Sequence, residues 1–169
     1  MEEKIKMKKK NKPLKTALLT VLCSLLFLLL PTFIFAQQST AQEIETLLNA
    51  SAVTYAQAVR FTLEASGAAV IKNPQEAFDY AVQQNFLPKN VSAGESARLD
   101  RLSLLLMRSF QIDGGLFYKM TKSPHHAYRE LVSLDIIQGR HDPRMNVTGE
   151  RLLFYITRIL SRNETQGEL

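Results

Sequence analysis

The strongest structural signal in this sequence lies in residues 123–160, SPHHAYRELVSLDIIQGRHDPRMNVTGERLLFYITRIL. Ser123 is a good helix N-cap, and Pro124 suits the first helical position after it. Apolar or aromatic residues then recur at the spacing of one helix face: Ala127, Tyr128, Leu131 and Val132. A loop over 138–146, marked by Gly and Pro, separates this helix from a second one that opens at Thr148. The stretch therefore predicts a helix–loop–helix unit.

Much of this pattern also occurs 50 residues earlier in the chain. The aligned pairs include Asn73 with Ser123, Phe78 with Tyr128, Phe86 with Ile136, Arg101 with Arg151, and Arg108 with Arg158. A third, shorter copy comes first, because 53–59 resembles 147–153 at a shift of 94 residues. Such spacing is typical of a protein built from copies of one supersecondary unit. We therefore predict three repeats, over about 42–66, 73–112 and 123–161.

The second helix of each repeat contains most of the large apolar residues. These helices are predicted over 54–65, 97–112 and 148–160, and Asp113-Gly114-Gly115 ends the second of them. A helix that is apolar nearly all round must be buried between neighbours, so we expect the three to form the inner bundle. No stretch alternates apolar and polar residues as a half-buried strand would. The sequence therefore predicts an all-α fold of three helix–loop–helix repeats.

Residues 1–36 have the pattern of a helical secretory signal peptide. A lysine-rich start precedes the apolar stretch 16–35, and Ala36 closes the segment before polar residues follow. We expect cleavage after Ala36, which leaves 37–169 as the helical domain. The alternative is an uncleaved anchor, because about 20 apolar residues can span a bilayer. The chain is expected to contact a membrane only through 16–35, and only in that second case.

The net charge of +5 comes entirely from the first 15 residues, which hold seven lysines and two glutamates. From Gln37 onward, 14 Lys and Arg residues balance 14 Asp and Glu residues. The net charge of the helical domain therefore gives no indication of a nucleic-acid partner. The single cysteine, Cys23, also lies in the leader, which excludes disulfides and cysteine-based metal sites from the rest of the chain.

No sequence pattern of a catalytic or metal site occurs. The motifs HExxH, GxSxG and the P-loop are all absent. His125 and His126 are adjacent on a predicted helix, where neighbouring side chains diverge by about 100°. We therefore interpret them, and His141 in the following loop, as surface residues rather than zinc ligands. We expect no metal, no cofactor and no enzymatic activity.

The third repeat resembles an S-layer homology repeat. In that family a helix ends in Gly-Ile-Ile-x-Gly, a loop of Asp, Gly and Pro follows, and Thr-Arg-Ala-Glu opens a second helix. This chain has Ile136-Ile137 and Gly139 at the end of the first helix, and Thr148 at the opening of the second. The first repeat has Thr54-Tyr55-Ala56-Gln57, a version of the opening motif. The resemblance extends over about 43–160 and covers nearly the whole predicted domain.

The resemblance implies an architecture and a ligand. Members of the family place three repeats about a pseudo-threefold axis and bind polysaccharide attached to peptidoglycan in grooves between them. The arginine of the opening motif and nearby acidic residues shape those grooves. Here the arginine position holds Tyr55, Leu99 (or Arg98 if the register slips by one residue) and Gly149. The candidate ligand-binding residues in and beside the opening motifs are Tyr55, Arg98, Asp100, Arg101, Thr148, Glu150 and Arg151.

The charged candidates each have a second interpretation. Asp100 and Glu150 lie at matching helix starts, where they either hydrogen-bond a sugar or stabilise the helix dipole. Arg101 and Arg151, with the arginines seven residues after each, either recognise an anionic ligand or form salt bridges between repeats.

These features together predict an exported, non-catalytic binding module of the bacterial cell envelope, in the periplasm or at the cell surface. Its partner is expected to be cell-wall polysaccharide or another envelope component. The alternative is a periplasmic helical adaptor that binds an envelope protein and has no glycan groove.

Overall fold

The computed structural model describes residues 41–139 and 141–167, with side chains placed through Glu164. The predicted signal peptide, residues 1–36, lies outside the described residues.

The chain divides into two units after Ile44, and the second, Glu45–Leu169, is compact. The second unit contains the packed core, whose buried apolar residues extend from Leu47 to Ile159.

The described ranges contain seven helices. They are α1 (41–48), α2 (Tyr55–Ser66), α3 (Pro74–Gln83), α4 (Leu99–Ser109), α5 (Leu116–Thr121), α6 (Pro124–Ser133) and α7 (Gly149–Gly167). No strand occurs in these ranges, so the predicted all-α fold class is confirmed. None of the helices in this part of the chain combines the length and the apolar composition needed to cross a bilayer.

The helix starts agree with the sequence signals. The side chains of Asn73 and Ser123 accept hydrogen bonds from the first N–H groups of α3 and α6, as predicted for N-caps. Thr54 and Gln57 form a capping box at the start of α2: Gln57 N–H donates to Thr54 Oγ1 at 3.3 Å, and Thr54 N–H donates to Gln57 Oε1 at 3.0 Å. These contacts satisfy N–H groups that have no partner inside a helix.

Helix α5 was not predicted. It has six residues and no side-chain cap at Gly115, and it begins directly after the Asp113-Gly114-Gly115 helix stop. Isolated helices of this length are not stable in water, so α5 depends on tertiary contacts. Those contacts are its packing against α6 and the burial of Tyr118. Local sequence patterns carry no signal for a helix of this kind.

Helix α4 is buried on nearly every side. Its buried apolar side chains are Leu99, Leu102, Leu104, Leu105, Leu106 and Met107. It packs against α2 and α6, and α2 in turn packs against α3 and α7. The hydroxyl of Ser103, also buried, donates to the Leu99 carbonyl oxygen at 2.7 Å. The predicted burial of this helix is confirmed.

Helix α7 departs from the predicted all-round burial. One stripe faces the core, formed by Leu152, Tyr155, Ile156 and Ile159. Phe154 is instead 45% exposed, and its ring lies 5.5 Å from the guanidinium of Arg158. The prediction was wrong for this side chain because composition alone does not tell which face of a helix has a neighbour.

A closed ring of backbone hydrogen bonds lies at the starts of three helices. Val53 N–H donates to the Val147 carbonyl at 2.9 Å, Val147 N–H to that of Ala97 at 2.9 Å, and Ala97 N–H to that of Val53 at 2.8 Å. All three residues are buried, and each stands two residues before the first residue of α2, α4 or α7. The ring therefore satisfies six buried polar groups and joins three distant segments at one point.

Two residues after each ring residue, a backbone N–H forms another hydrogen bond to a neighbouring segment, and one of these three bonds differs from the other two. Tyr55 N–H donates to the Glu95 carbonyl and Leu99 N–H to the Met145 carbonyl, both at 3.0 Å. Gly149 N–H donates to the carbonyl of Ala50, also at 3.0 Å. Ala50 stands three residues before its ring residue, Val53, whereas the other two acceptors stand two residues before theirs.

At Gly149 two segments of the chain approach each other closely. A Cβ atom built at this position would overlap the carbonyl oxygen of Leu47, at the end of α1. The end of α1 therefore closes against the start of α7 only because residue 149 has no side chain.

Substituting Gly149→Ala is expected to destabilise the fold by about 1–3 kcal/mol, because the new methyl group displaces backbone in a packed region. Gly94→Ala is the matched control, since a Cβ atom at Gly94 meets nothing within 4 Å. Urea unfolding followed by circular dichroism measures both. Equal stability of the two variants would contradict the close approach at Gly149.

Candidate functional site

The predicted ligand-binding residues separate into two groups. The first group, at the starts of α2 and α4, contains Tyr55, Arg98, Asp100 and Arg101. The second, at the start of α7, contains Thr148, Glu150 and Arg151. Hydrogen bonds connect the members of the first group to one another, whereas none joins the two groups among the described residues.

Asp100 organises the start of α4. Its Oδ2 atom lies 2.7 Å from Nη2 of Arg98, and its Oδ1 atom accepts the backbone N–H of Arg101 at 2.8 Å. The first turn of a helix has unpaired N–H groups and a partial positive charge, so a carboxylate is stabilised there. These contacts favour the dipole-stabilising interpretation of Asp100.

Tyr55 lies beneath this group and is fully buried. Its hydroxyl oxygen accepts the backbone N–H of Arg98 at 3.2 Å. Burial raises the pKa of Tyr55 above its ordinary value, although the Arg98 N–H and the Arg101 guanidinium oppose the rise. The phenol therefore stays neutral, and Tyr55 acts by holding Arg98 and Arg101 rather than by stacking on a ligand.

Glu95 is a fifth member that the sequence interpretation missed. Its Oε1 atom lies 3.4 Å from Nη1 of Arg101. The sequence contains a signal for it, since the 50-residue shift that aligns Arg101 with Arg151 also aligns Glu95 with Met145. We call Tyr55, Glu95, Arg98, Asp100 and Arg101 the polar cluster.

The second group has the same geometry with different chemistry. Arg151 Nη1 donates to the sulfur of Met145 at 3.3 Å, and the Arg151 N–H donates to Thr148 Oγ1 at 3.3 Å. Glu150 is exposed. Arg101 and Arg151 therefore both reach the residue six positions earlier, but only Arg101 meets a carboxylate there.

The predicted salt bridges are found for two of the four arginines. Arg101 pairs with Glu95, and Arg158 pairs with Asp135 at 2.9 Å. Each pair lies within one predicted repeat and not between two repeats, which corrects the expectation. The reason is that the loop before each second helix places its own acidic residue nearest to that helix.

Two clefts of about 520 Å³ each lie at the end of α4 and along the middle of α7, and neither lining contains a member of the polar cluster. We call them the α4 cleft and the α7 cleft. Their linings include residue pairs separated by 50 positions: Gln84 and Leu134, Asn85 and Asp135, Phe86 and Ile136, and Arg108 and Arg158. Asn85 and Asp135 also share a left-handed backbone conformation, with φ of 58° and 59°. Of these residues, only the two arginines had been named from the sequence as possible ligand contacts.

The histidines belong neither to the polar cluster nor to the linings of the two clefts. His126 Nδ1 is 2.7 Å from Thr121 Oγ1 and 3.0 Å from Ser123 Oγ, which fixes its ring beside the N-cap of α6. His125 is exposed, and its ring centroid is 5.5 Å from that of His126. The described residues contain no group of three or more His, Cys, Asp or Glu side chains arranged to hold a metal ion.

Comparisons with protein-family models, with curated proteins and with solved structures yield no match to this chain. Its function must therefore be inferred from the polar cluster, the clefts and the sequence pattern.

Replacing Tyr55 with Phe is expected to lower the free energy of unfolding by about 1–3 kcal/mol, because the Arg98 N–H loses its acceptor in a largely buried place. Tyr80→Phe is the matched control: this half-buried tyrosine packs edge-on against Phe86 at 6.4 Å between ring centroids. Thermal and urea unfolding of both variants measure the difference. A Tyr55→Phe protein as stable as Tyr80→Phe would show that the hydroxyl does not support the polar cluster.

Proposed function

We propose that this chain is an exported, non-catalytic binding module of the bacterial cell envelope. It consists of three degenerate repeats of the S-layer homology type, arranged about a pseudo-threefold axis. It binds cell-wall polysaccharide through the polar cluster.

The observation that carries the proposal is the ring of backbone hydrogen bonds. The sequence shifts of 50 and 94 residues align Val53, Ala97 and Val147 with one another, and these are the residues that the ring joins. A cyclic pattern in which each residue donates to one partner and accepts from the other is what a pseudo-threefold axis requires. The 50-residue relation between the linings of the α4 and α7 clefts supports the same arrangement.

The polar cluster has an unused hydrogen-bond donor. The buried Nε atom of Arg98 has no hydrogen-bond acceptor among the described residues, while the side chain as a whole is 28% exposed. An unsatisfied buried donor costs free energy, and a sugar hydroxyl or carboxylate that reached this atom would relieve that cost. Arg98 is therefore the residue that we propose to contact the polysaccharide, with Asp100 holding its guanidinium.

The helical adaptor is a second candidate because the other two contacts between the predicted repeats lack the polar residues of the cluster. Leu99 and Gly149, which take the place of Tyr55 in the aligned repeats, are buried residues without polar side chains. Among the described residues, a polar cluster of this kind therefore occurs at only one of the three contacts between the predicted repeats. This asymmetry favours a scaffold that kept the fold and exchanged a glycan partner for an envelope protein.

A pull-down with purified peptidoglycan sacculi that retain their polysaccharide tests the proposal. Replacing Arg98 with Gln is expected to weaken retention about 10- to 100-fold, the range for losing a hydrogen bond to a charged group. Arg162→Gln is the matched control, because Arg162 is exposed near the end of α7.

Arg151→Gln separates the two groups of candidates and is expected to have a smaller effect, since Arg151 bonds to a sulfur atom rather than to a carboxylate network. If the unaltered chain is not retained by sacculi and captures a specific envelope protein instead, the adaptor is correct. Circular dichroism of each variant checks that the fold is intact.

The leader is tested by mass spectrometry of the chain recovered from fractionated bacterial cells. We expect a mature N-terminus at Gln37 in the envelope or periplasmic fraction, because Ala36 ends the signal-peptide pattern. A chain that still begins at Met1 and stays with the membrane would show that 16–35 is an anchor.

A further inference from the structure

Helix α5 exposes an apolar face that points away from the protein. Leu116, Phe117 and Met120 are 70%, 69% and 76% exposed, whereas Tyr118 between them is 7% exposed. Successive residues of a helix are about 100° apart, so the three exposed side chains share one arc of about 100° and Tyr118 lies on the opposite side. The amphipathic pattern of α5 is therefore the reverse of that expected for a surface helix in water.

Two contacts hold α5 in this orientation. Tyr118 anchors α5 in the core, and the ring of Phe117 stacks on His126 of α6 with centroids 6.1 Å apart and planes 17° apart. The apolar side chains consequently cannot turn inward without losing the burial of Tyr118. Three large apolar side chains exposed side by side indicate a surface that is covered by a binding partner.

Positive charge borders the end of this face, whereas the Glu130 carboxylate lies beside Gly115 at its start. Lys119 and Lys122 are exposed on and directly after α5, and both line the α4 cleft together with Arg108. Arg108 reaches across to donate to the Lys122 carbonyl at 3.0 Å, which places its guanidinium beside the end of α5. Asp113 is the one carboxylate in the lining of this cleft; it lies 3.8 Å from Lys119 and is almost fully exposed. Three cations against one carboxylate leave the cleft positive.

We propose that α5 and the α4 cleft form a docking surface for the anionic phospholipid bilayer. Leu116, Phe117 and Met120 insert at the boundary between headgroups and acyl chains, and Arg108, Lys119 and Lys122 contact lipid phosphates. An apolar face bordered by lysines is the pattern of a helix that lies in a membrane interface. This contact departs from the expectation that only 16–35 meets a membrane, and it lies at the opposite end of α4 from the polar cluster.

Charge decides between a bilayer and a second copy of the chain as the occupant. Two copies that met through this face in a two-fold contact would bring their lysines and arginines together, because such a contact places the same patch on both sides. An anionic lipid surface is instead attracted by each basic residue near it, by about 1 kcal/mol apiece.

The test places a thiol-reactive environment-sensitive fluorophore on α5. The full chain is prepared with Cys23→Ser, so that a cysteine introduced at Phe117 or Met120 is its only thiol. Val70→Cys is the matched control, because Val70 is 75% exposed and does not line the α4 cleft. Each labelled protein is mixed with vesicles of phosphatidylcholine alone, or with a third of that lipid replaced by phosphatidylglycerol, and nitroxide-labelled lipids report depth.

The expected result is a blue shift and strong nitroxide quenching at 117 and 120 with anionic vesicles, and neither at 70. Replacing Lys119 and Lys122 with Gln is expected to reduce the ratio of docked to undocked protein about 30-fold, from about 1 kcal/mol per lysine. Equal signals at 70 and 120, or no shift at 117 and 120, would overturn the proposal. So would a lipid-independent shift that grows with protein concentration, which would show that a second copy covers the face.

Discussion

Three backbone hydrogen bonds organise this domain. Val53, Ala97 and Val147 each donate to one partner and accept from the other, in a place where all three are buried. Because unpaired buried N–H and C=O groups are costly, each segment depends on the presence of both others. The ring lies directly before α2, α4 and α7, and the polar cluster forms beside it at the starts of α2 and α4.

The side chains around the ring differ far more than its backbone does. Next to the ring, Tyr55 contributes a hydroxyl that bonds the neighbouring segment, Leu99 contributes only apolar surface, and Gly149 leaves room for the carbonyl of Leu47. Backbone bonds tolerate this variation because they involve no side-chain atoms. The polar chemistry is consequently concentrated at one interface, which is why Arg98 is the centre of the proposed binding site.

Much of the fold was predictable because its signals are local. The N-caps Asn73 and Ser123, the burial of α4 and the residue spacings follow from short patterns of residue type. The candidate site was predictable in part. Arg98, Asp100 and Arg101 lie together as neighbours in sequence must, whereas the buried state of Tyr55 and the contact of Glu95 with Arg101 depend on how the loop before α4 folds back.

Residue order alone predicts that the chain is helical, where its main helices begin and which positions align at shifts of 50 and 94 residues, because caps and apolar periodicity act over a few residues. It cannot establish that Gly149 faces the end of α1, that Phe154 is exposed or that α5 turns its apolar side to solvent. Those properties depend on which helix faces pack together when the residues that form them are far apart in the sequence. The three-dimensional packing settles them, and with them which surfaces are open to the proposed polysaccharide and membrane contacts.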